Sequence, residues 1–225
     1  MPIIVNKLLI VAATIEEVRP LINYLKRKVG VFRHTHRYYT SELKGKAIHI
    51  FIPGAGMVNT AFYLATLYEE DYDFAINAGI AGAFDRQLEI GECVVVEKDI
   101  FSELGAEDGS NFLKISELKL GKENVVPKNL MIPLTFHSLK RVTGITVNTV
   151  HGNKESIQRV EQLFHPQIES MEGAAFYFVC NKFHWKCCQI RAISNYVEER
   201  DKSKWNIPLA ILHLNELLIQ YIETL

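Results

Sequence analysis

Short apolar runs alternate with amphipathic segments along the chain, and this alternation predicts strands and helices in turn. The first apolar run, Leu8 to Ala13, has the length of a buried strand, and helical periodicity follows from about Glu16 to Arg27. Two further runs, Tyr38 to Leu43 and Ala47 to Ile52, flank Lys44-Gly45-Lys46. A pair of β-type runs around a short glycine-containing segment predicts a hairpin.

The alternation continues to the end of the chain. Further strands are predicted at Phe74 to Ala78, ended by Gly79, and at Glu92 to Lys98, Arg141 to Val150, Gln167 to Ser170 and Lys186 to Ser194. Further helices are predicted at about Met57 to Glu70, Lys154 to Phe164, Glu172 to Lys182 and Ile207 to the C-terminus. We therefore expect an α/β fold, in which helices cover the faces of a sheet.

One interval interrupts this pattern. Residues 101–140 carry several glycines and prolines and little periodicity, which predicts an irregular excursion or lid. No shift in composition divides the 225 residues, so we expect a single domain over residues 1–225.

Charge and cysteine usage exclude several classes of protein. The chain has 25 basic and 26 acidic residues, so it offers no basic field for nucleic acid. The run Leu8 to Ala13 is too short for a signal peptide or a membrane span, and we expect a cytoplasmic protein without a membrane partner. The four cysteines lack metal-ligand spacing, which favours buried reduced thiols and no metal site.

We look for catalytic and binding residues directly after the predicted strands, because ligands of α/β sheets bind beyond the carboxyl ends of the strands. The segments at these places are Ala13 to Val18, Gly54 to Asn59, Asn77 to Gly82, Ser170 to Ala175 and Ser194 to Val197. Each has a simpler explanation when taken alone. A glutamate in a first helical turn can merely favour the helix N-terminus. A lone Gly-x-Gly is weak support for ligand binding, and serine or asparagine can simply end a strand.

Together and in this order, the segments resemble the purine nucleoside phosphorylase and nucleosidase superfamily, from Leu8 to the last helix. The resemblance implies a three-layer fold with a central mixed, twisted sheet flanked by helices. It also implies hydrolysis of the N-glycosidic bond of a purine nucleoside without a cofactor, by a homodimer in which residues 101–140 close the partner's pocket. The segment Arg191 to Trp205 resembles the futalosine-cleaving branch, which releases hypoxanthine in menaquinone biosynthesis.

The resemblance assigns roles to the carboxylates, and the chemistry suits them. Glu17 matches the glutamate that activates water, a general-base role. Glu172 matches the residue that binds the ribose hydroxyls, with Met171 along the sugar and Gly79 as a further binding position. A carboxylate beside the sugar also favours the positive charge that develops as the bond breaks.

The residue expected to contact the purine base indicates which nucleoside is the substrate. Adenine-cleaving members carry an aspartate after the serine that corresponds to Ser194, whereas this chain has Asn195. Asparagine is no acid, but its amide can donate to the purine N7 or to a 6-oxo group. The residue therefore favours hypoxanthine as the leaving base, and its simpler reading is a strand-end cap.

Other positions leave alternatives open. Trp205 matches an aromatic residue beside the 5′ substituent, or belongs to the core. His151 follows the segment that flanks the base and binds the purine or has a structural role. The candidate cations for a substrate carboxylate are Arg33, His34, His36, Arg37 and Arg200. Rival functions are an adenine-directed nucleosidase, a silent nucleoside-binding protein and a phosphorylase, although a glutamate in the first strand–helix loop would repel phosphate.

Overall fold

The computed structural model describes residues 5–29 and 32–225. The strands are β1 (Lys7–Val11), β2 (Phe32–Thr35), β3 (Tyr38–Leu43), β4 (Lys46–Phe51), β5 (Phe74–Ala83), β6 (Cys93–Phe101), β7 (Gly105–Asp108), β8 (Asn111–Lys114), β9 (Asn124–Val125), β10 (Lys140–Thr146), β11 (Ile168–Ser170) and β12 (Cys187–Tyr196). The helices are α1 (Ile15–Lys28), α2 (Met57–Ala65), α3 (Lys154–Phe164), α4 (Gly173–Phe183) and α5 (Ile207–Glu223).

Ten strands of the described chain form one mixed sheet. Its order is β11-β10-β6-β12-β5-β1-β4-β3-β2, with β9 added to β6. Strand β11 also pairs with the end of β5 in antiparallel register, through Ile168 with Ala83 and Glu169 with Gly82. The sheet therefore closes on itself at one end, where β5, β12, β6, β10 and β11 form a ring.

Helices cover both faces of the sheet, as the pattern of β1 illustrates. Leu8 and Ile10 pack into a core with the apolar side chains of α1 and α5. Leu9 and Val11 point the other way, into a core with α2 and α4. A strand buried on both faces reads as a continuous apolar run, which is why the first run predicts β1 so well. The expected three-layer α/β fold with a central mixed sheet is confirmed.

Several predicted boundaries are wrong. Strand β5 does not end at Gly79 but continues to Ala83, because its second half lies between β12 and β11 and this pairing overrides the low strand propensity of glycine. Strand β10 ends at Thr146 rather than Val150, and α2 ends at Ala65 rather than Glu70.

Residues 101–140 are less irregular than the sequence predicts. They contain the hairpin of β7 and β8, which forms its own two-stranded sheet, and the short strand β9. Strand β2 is also absent from the sequence-based prediction. The adjacent Cys187 and Cys188 belong to opposite cores, as expected for neighbours on a strand. Within the described residues, no helix combines the length and apolar character needed to cross a membrane.

Candidate active site

A cavity of about 330 Å³ opens where β1, β5 and β12 end and α1 and α4 begin. Seven of the eight predicted site residues line it: Glu17, His151, Met171, Glu172, Ser194, Asn195 and Trp205. The eighth, Gly79, lies next to the cavity-lining Ile80 on β5. The structure therefore brings the five candidate segments to one place.

The carboxylate of Glu17 accepts hydrogen bonds from the start of α1 and from β5. It is the third residue of α1, and its Oε2 accepts hydrogen bonds from the backbone N–H of Thr14 at 2.9 Å and from the Thr14 hydroxyl at 3.2 Å. This is a capping-box arrangement, so the helix-end explanation holds. The other oxygen, Oε1, accepts from the backbone N–H of Ile80 at 3.1 Å. Ile80 thus contributes its main chain to the site.

Glu172 lies just before α4 and is buried. Its Oε1 accepts a hydrogen bond from the backbone N–H of Gly56 at 3.0 Å. Gly56 has a φ of 94°, a left-handed conformation that favours glycine. The Gly54-Ala55-Gly56 turn therefore presents its backbone to this carboxylate.

Arg191 is a site residue that the sequence-based prediction missed. Its side chain is fully buried on β12, and its Nη2 lies 3.9 Å from Oε2 of Glu172. In the sheet register Arg191 pairs with Gly79 of β5, and its guanidinium lies across that glycine. A Cβ at position 79 would come within 2.2 Å of Arg191 Nη1 and 2.7 Å of Glu17 Oε1. Gly79 therefore leaves the space in which the cation and the Glu17 carboxylate meet.

The sequence did carry a signal for Arg191. A charged residue interrupts an otherwise apolar strand, and Gln189, two positions earlier, shares its face of the sheet. A buried guanidinium needs partners, and a charged residue in a buried strand end is a candidate for function.

The electrostatics of the pair of carboxylates suit proton transfer. Burial raises the pKa of Glu17 above its ordinary value, and the nearby Glu172 adds to the rise, whereas Arg191 opposes it. A carboxylate with a raised pKa is a better proton acceptor at neutral pH than an ordinary exposed glutamate.

Ser194 and Asn195 also line the cavity. The Ser194 hydroxyl donates to Asn195 Oδ1 at 2.8 Å, and Asn195 Nδ2 donates to the backbone carbonyl of Tyr196 at 2.9 Å. The expected local bonding of the asparagine is therefore present. Each amide atom keeps one further donor or acceptor position, because an asparagine side chain can form four hydrogen bonds.

His151 has a partner that the sequence did not indicate. Its Nδ1 lies 2.6 Å from Oε2 of the buried Glu169, and its backbone N–H donates to Glu169 Oε1 at 3.1 Å. The carboxylate fixes the ring and makes Nδ1 the protonated nitrogen. Both residues line the cavity. His151 also borders a second cavity of about 660 Å³, which the β7–β8 hairpin helps to enclose.

The five candidate cations differ in their position relative to the cavity. Arg200 lines the cavity, and its guanidinium lies 5.0 Å from the ring centre of Trp205. Arg37 donates to the backbone carbonyl of Pro53 at 2.6 Å. Arg33 and His34 are exposed on β2, and His36 lies in the following turn. In the described part of the chain, no cluster of three or more His, Cys, Asp or Glu residues has the arrangement of a metal site.

Comparisons with known proteins show the family and the fold of the chain. The sequence model of the phosphorylase superfamily matches residues 7–223. A futalosine hydrolase of Thermus thermophilus is 30% identical over 176 residues, which cover 75% of this chain and 78% of that protein. A 5′-methylthioadenosine/S-adenosylhomocysteine nucleosidase of Lysinibacillus sphaericus is 26% identical over 233 residues, covering 97% and 100%. The solved structure of a futalosine hydrolase of Helicobacter pylori shares the fold, with a TM-score of 0.81, 17% identity and 98% coverage of both chains.

Proposed function

Because the chain belongs to the phosphorylase superfamily and is a hydrolase of N-glycosyl compounds, we propose that its substrate is futalosine. The reaction releases hypoxanthine and leaves dehypoxanthine futalosine, a step of menaquinone biosynthesis. The observation that carries this proposal is the meeting of Glu17, Glu172 and Asn195 around one nucleoside-sized cavity. The similarity to a futalosine hydrolase over three quarters of the chain supports it further.

In the proposed reaction, Glu17 takes a proton from a water molecule as that water attacks the anomeric carbon. The buried Arg191 lies beside both carboxylates, so it orients them and limits their mutual repulsion. As the glycosidic bond breaks, the sugar gains positive charge, which the carboxylates stabilise in a site of low dielectric. Glu172 binds the ribose hydroxyls and holds the sugar at the distance that attack requires.

Asn195 supports hypoxanthine as the leaving group. Its free amide hydrogen can donate to N7 or to the 6-oxo oxygen, and hypoxanthine can leave as a delocalised anion without full protonation. His151, oriented by Glu169, also lines the cavity, and its Nε2 is left for a ligand. We propose that these two side chains together bind the base.

For the 5′ substituent, we propose that Trp205 packs against it and that Arg200 pairs with its carboxylate. Arg200 is the member of the predicted cation set that lines the cavity, and its guanidinium already lies over the Trp205 ring. An arginine can bind a carboxylate through two parallel hydrogen bonds, which gives direction as well as charge.

The test is a comparison of kcat/KM for futalosine, inosine and methylthioadenosine, with the free base identified by chromatography. We expect futalosine to be the best substrate and hypoxanthine to be the base released. Glu17→Gln should lose about 10²- to 10⁴-fold in kcat, the usual contribution of a general base. Faster release of adenine from methylthioadenosine would refute the substrate assignment, and an unchanged kcat of Glu17→Gln would refute the role of Glu17.

An adenine nucleosidase is the second candidate. The observation in its favour is the nucleosidase of Lysinibacillus sphaericus, which aligns with 97% of this chain. Asn195 is evidence against an adenine nucleosidase, because an asparagine cannot protonate the departing adenine. The same three-substrate comparison distinguishes the two.

We further propose that the protein is a cytoplasmic homodimer. Helices α2 and α4 expose large apolar side chains: Val58 and Phe62 on α2, which are 78% and 63% exposed, and Phe178 on α4 at 47%. Neighbouring exposed apolar side chains are typical of a protein interface. Both helices begin beside Glu172, so a partner on this face would lie next to the ribose end of the cavity. The single-domain organisation stays a prediction.

A further inference from the structure

Asp99 is a buried carboxylate that the proposed reaction leaves without a role. It lies on β6 and is 1% exposed. Its Oδ1 accepts from the Thr146 hydroxyl at 2.8 Å and from the backbone N–H of Ile100 at 2.9 Å, and its Oδ2 accepts from Gln189 Nε2 at 3.0 Å. Burial raises the pKa of Asp99 to about 6, so at neutral pH the group is largely ionised. An ionised carboxylate persists in a protein interior only with such donors around it.

The first branch of this network leads to Arg191. The Gln189 amide donates through Nε2 to Asp99, and its Oε1 accepts from Arg191 Nε at 2.9 Å. A carboxylate accepts hydrogen bonds and donates none, so Asp99 fixes which end of the amide faces the arginine. The guanidinium is held on its other side by Asn77 Oδ1, and from there it reaches Glu172.

The second branch leads to the start of α4, beside Glu172. The Thr146 hydroxyl donates to Asp99 and accepts the backbone N–H of Ala174 at 2.8 Å. Gly173 lies directly on the network, since a Cβ there would come within 2.1 Å of Asp99 Oδ2 and 2.3 Å of Gln189 Oε1. The helix therefore begins in contact with the carboxylate, with no room for a side chain between them.

We propose that Asp99 is a positioning residue for glycosidic-bond hydrolysis, which it serves by orienting Arg191 through Gln189 and the α4 terminus through Thr146. The inference rests on the proposed function, because it assumes that Glu172 binds the substrate and that Arg191 orients the carboxylates. Asp99 is not one of the described residues that line the cavity, so it acts only through its hydrogen-bond partners. Misplacing a catalytic group by about 1 Å costs about 10²-fold in rate, so loss of this network should be visible in kcat.

The test is a double-mutant cycle with Asp99→Asn and Gln189→Leu on the whole protein, with kcat measured well below the melting temperature of each variant. In Asp99→Asn, the new amide NH₂ would face a group that already donates to position 99. These groups are Gln189 Nε2, the Thr146 hydroxyl and the backbone N–H of Ile100. Gln189→Leu removes both hydrogen bonds at similar volume. We expect each variant to lose about 10²-fold in kcat, and the double variant to fall no lower than the worse single variant, because both interrupt one chain of contacts.

The control is Asp73→Asn. The Asp73 carboxylate accepts from the backbone N–H groups of Asn6 and Lys7, remote from Arg191, so this variant should lower the melting temperature and leave kcat unchanged. A wild-type kcat in either network variant would overturn the inference. A kcat of the double variant reduced by the product of the two single-variant factors would also overturn it. If Asp99→Asn did not fold, the kcat of Gln189→Leu would still decide. A wild-type protein that hydrolyses no nucleoside would instead refute the proposed function.

Discussion

At Glu17, one carboxylate joins a helix end to the cavity. One oxygen completes the capping box of α1 and the other reaches the backbone of β5. A glutamate at the start of a helix is common, so the sequence around Glu17 taken alone favours the helix-end role over a catalytic one. What separates them is burial next to Glu172 and Arg191, which depends on three distant segments and becomes visible only in the fold.

The buried environment of Glu17 predicts a pH dependence. Only the ionised carboxylate accepts a proton, and burial raises its pKa, so activity should fall as the pH drops through that raised value. We therefore expect the acid limb of kcat/KM for futalosine to lie above pH 4.5, the ordinary pKa of a glutamate. Circular dichroism over the same range controls for unfolding. A limb at or below 4.5 in a protein that stays folded would show that Glu17 is not the titrating base.

Asn195 predicts the choice of base. Asn195→Asp introduces a group that can share a proton with N7 of adenine, so the ratio of kcat/KM for methylthioadenosine over futalosine should rise at least about tenfold. The matched control is Asn206→Asp at the N-cap of α5, which adds the same charge and still caps the helix. An unchanged ratio in Asn195→Asp would mean that this side chain does not select the base.

At the scale of elements, the register between β5 and β12 builds the centre of the site. Gly79 pairs with Arg191, so the glycine makes room for the guanidinium of the neighbouring strand. Gly79→Ala should therefore displace Arg191 and Glu17 and lower kcat about 10²-fold. Gly121→Ala is the control, because its Cβ would meet only Ile115, at an ordinary 3.6 Å. A Gly79→Ala variant with the wild-type kcat would contradict this account of the site.

The elements differ in how far the sequence predicts them. Helix α3 and strand β3 have the predicted bounds, because their periodicity is clear and polar segments flank them. Strand β5 exceeds its prediction because Ala-Gly-Ile-Ala-Gly lacks strand propensity, and only pairing with β12 and β11 extends it. Pairings between distant segments, such as His151 with Glu169, leave no local pattern in the sequence.

At the scale of the molecule, the exposed apolar face of α2 and α4 predicts association. Light scattering after size exclusion should give twice the mass of one chain, and Phe62→Glu should shift the protein toward the monomer, because a charge cannot be buried unpaired in an interface. Leu212→Glu on α5 is the control, since this side chain is also exposed, at 49%, but lies on another helix. A wild-type monomer at micromolar concentration would contradict the homodimer proposal.

The sequence indicates most of the site because its residues follow strands of an α/β sheet, whose carboxyl ends converge. A charge within an apolar strand marks Arg191 in the sequence, but its pairing with Gly79 and the contact of Asp99 with Gln189 depend on the sheet register. The whole fold thus brings glutamates and amides from distant segments together around one nucleoside-sized cavity.

The most direct test of the account is the release of hypoxanthine from futalosine by the wild-type protein in buffer without phosphate. We predict repeated turnover, with one hypoxanthine for each futalosine consumed and no increase in rate when phosphate is added, because water is the nucleophile. The absence of hypoxanthine, or its release only with phosphate, would contradict the account.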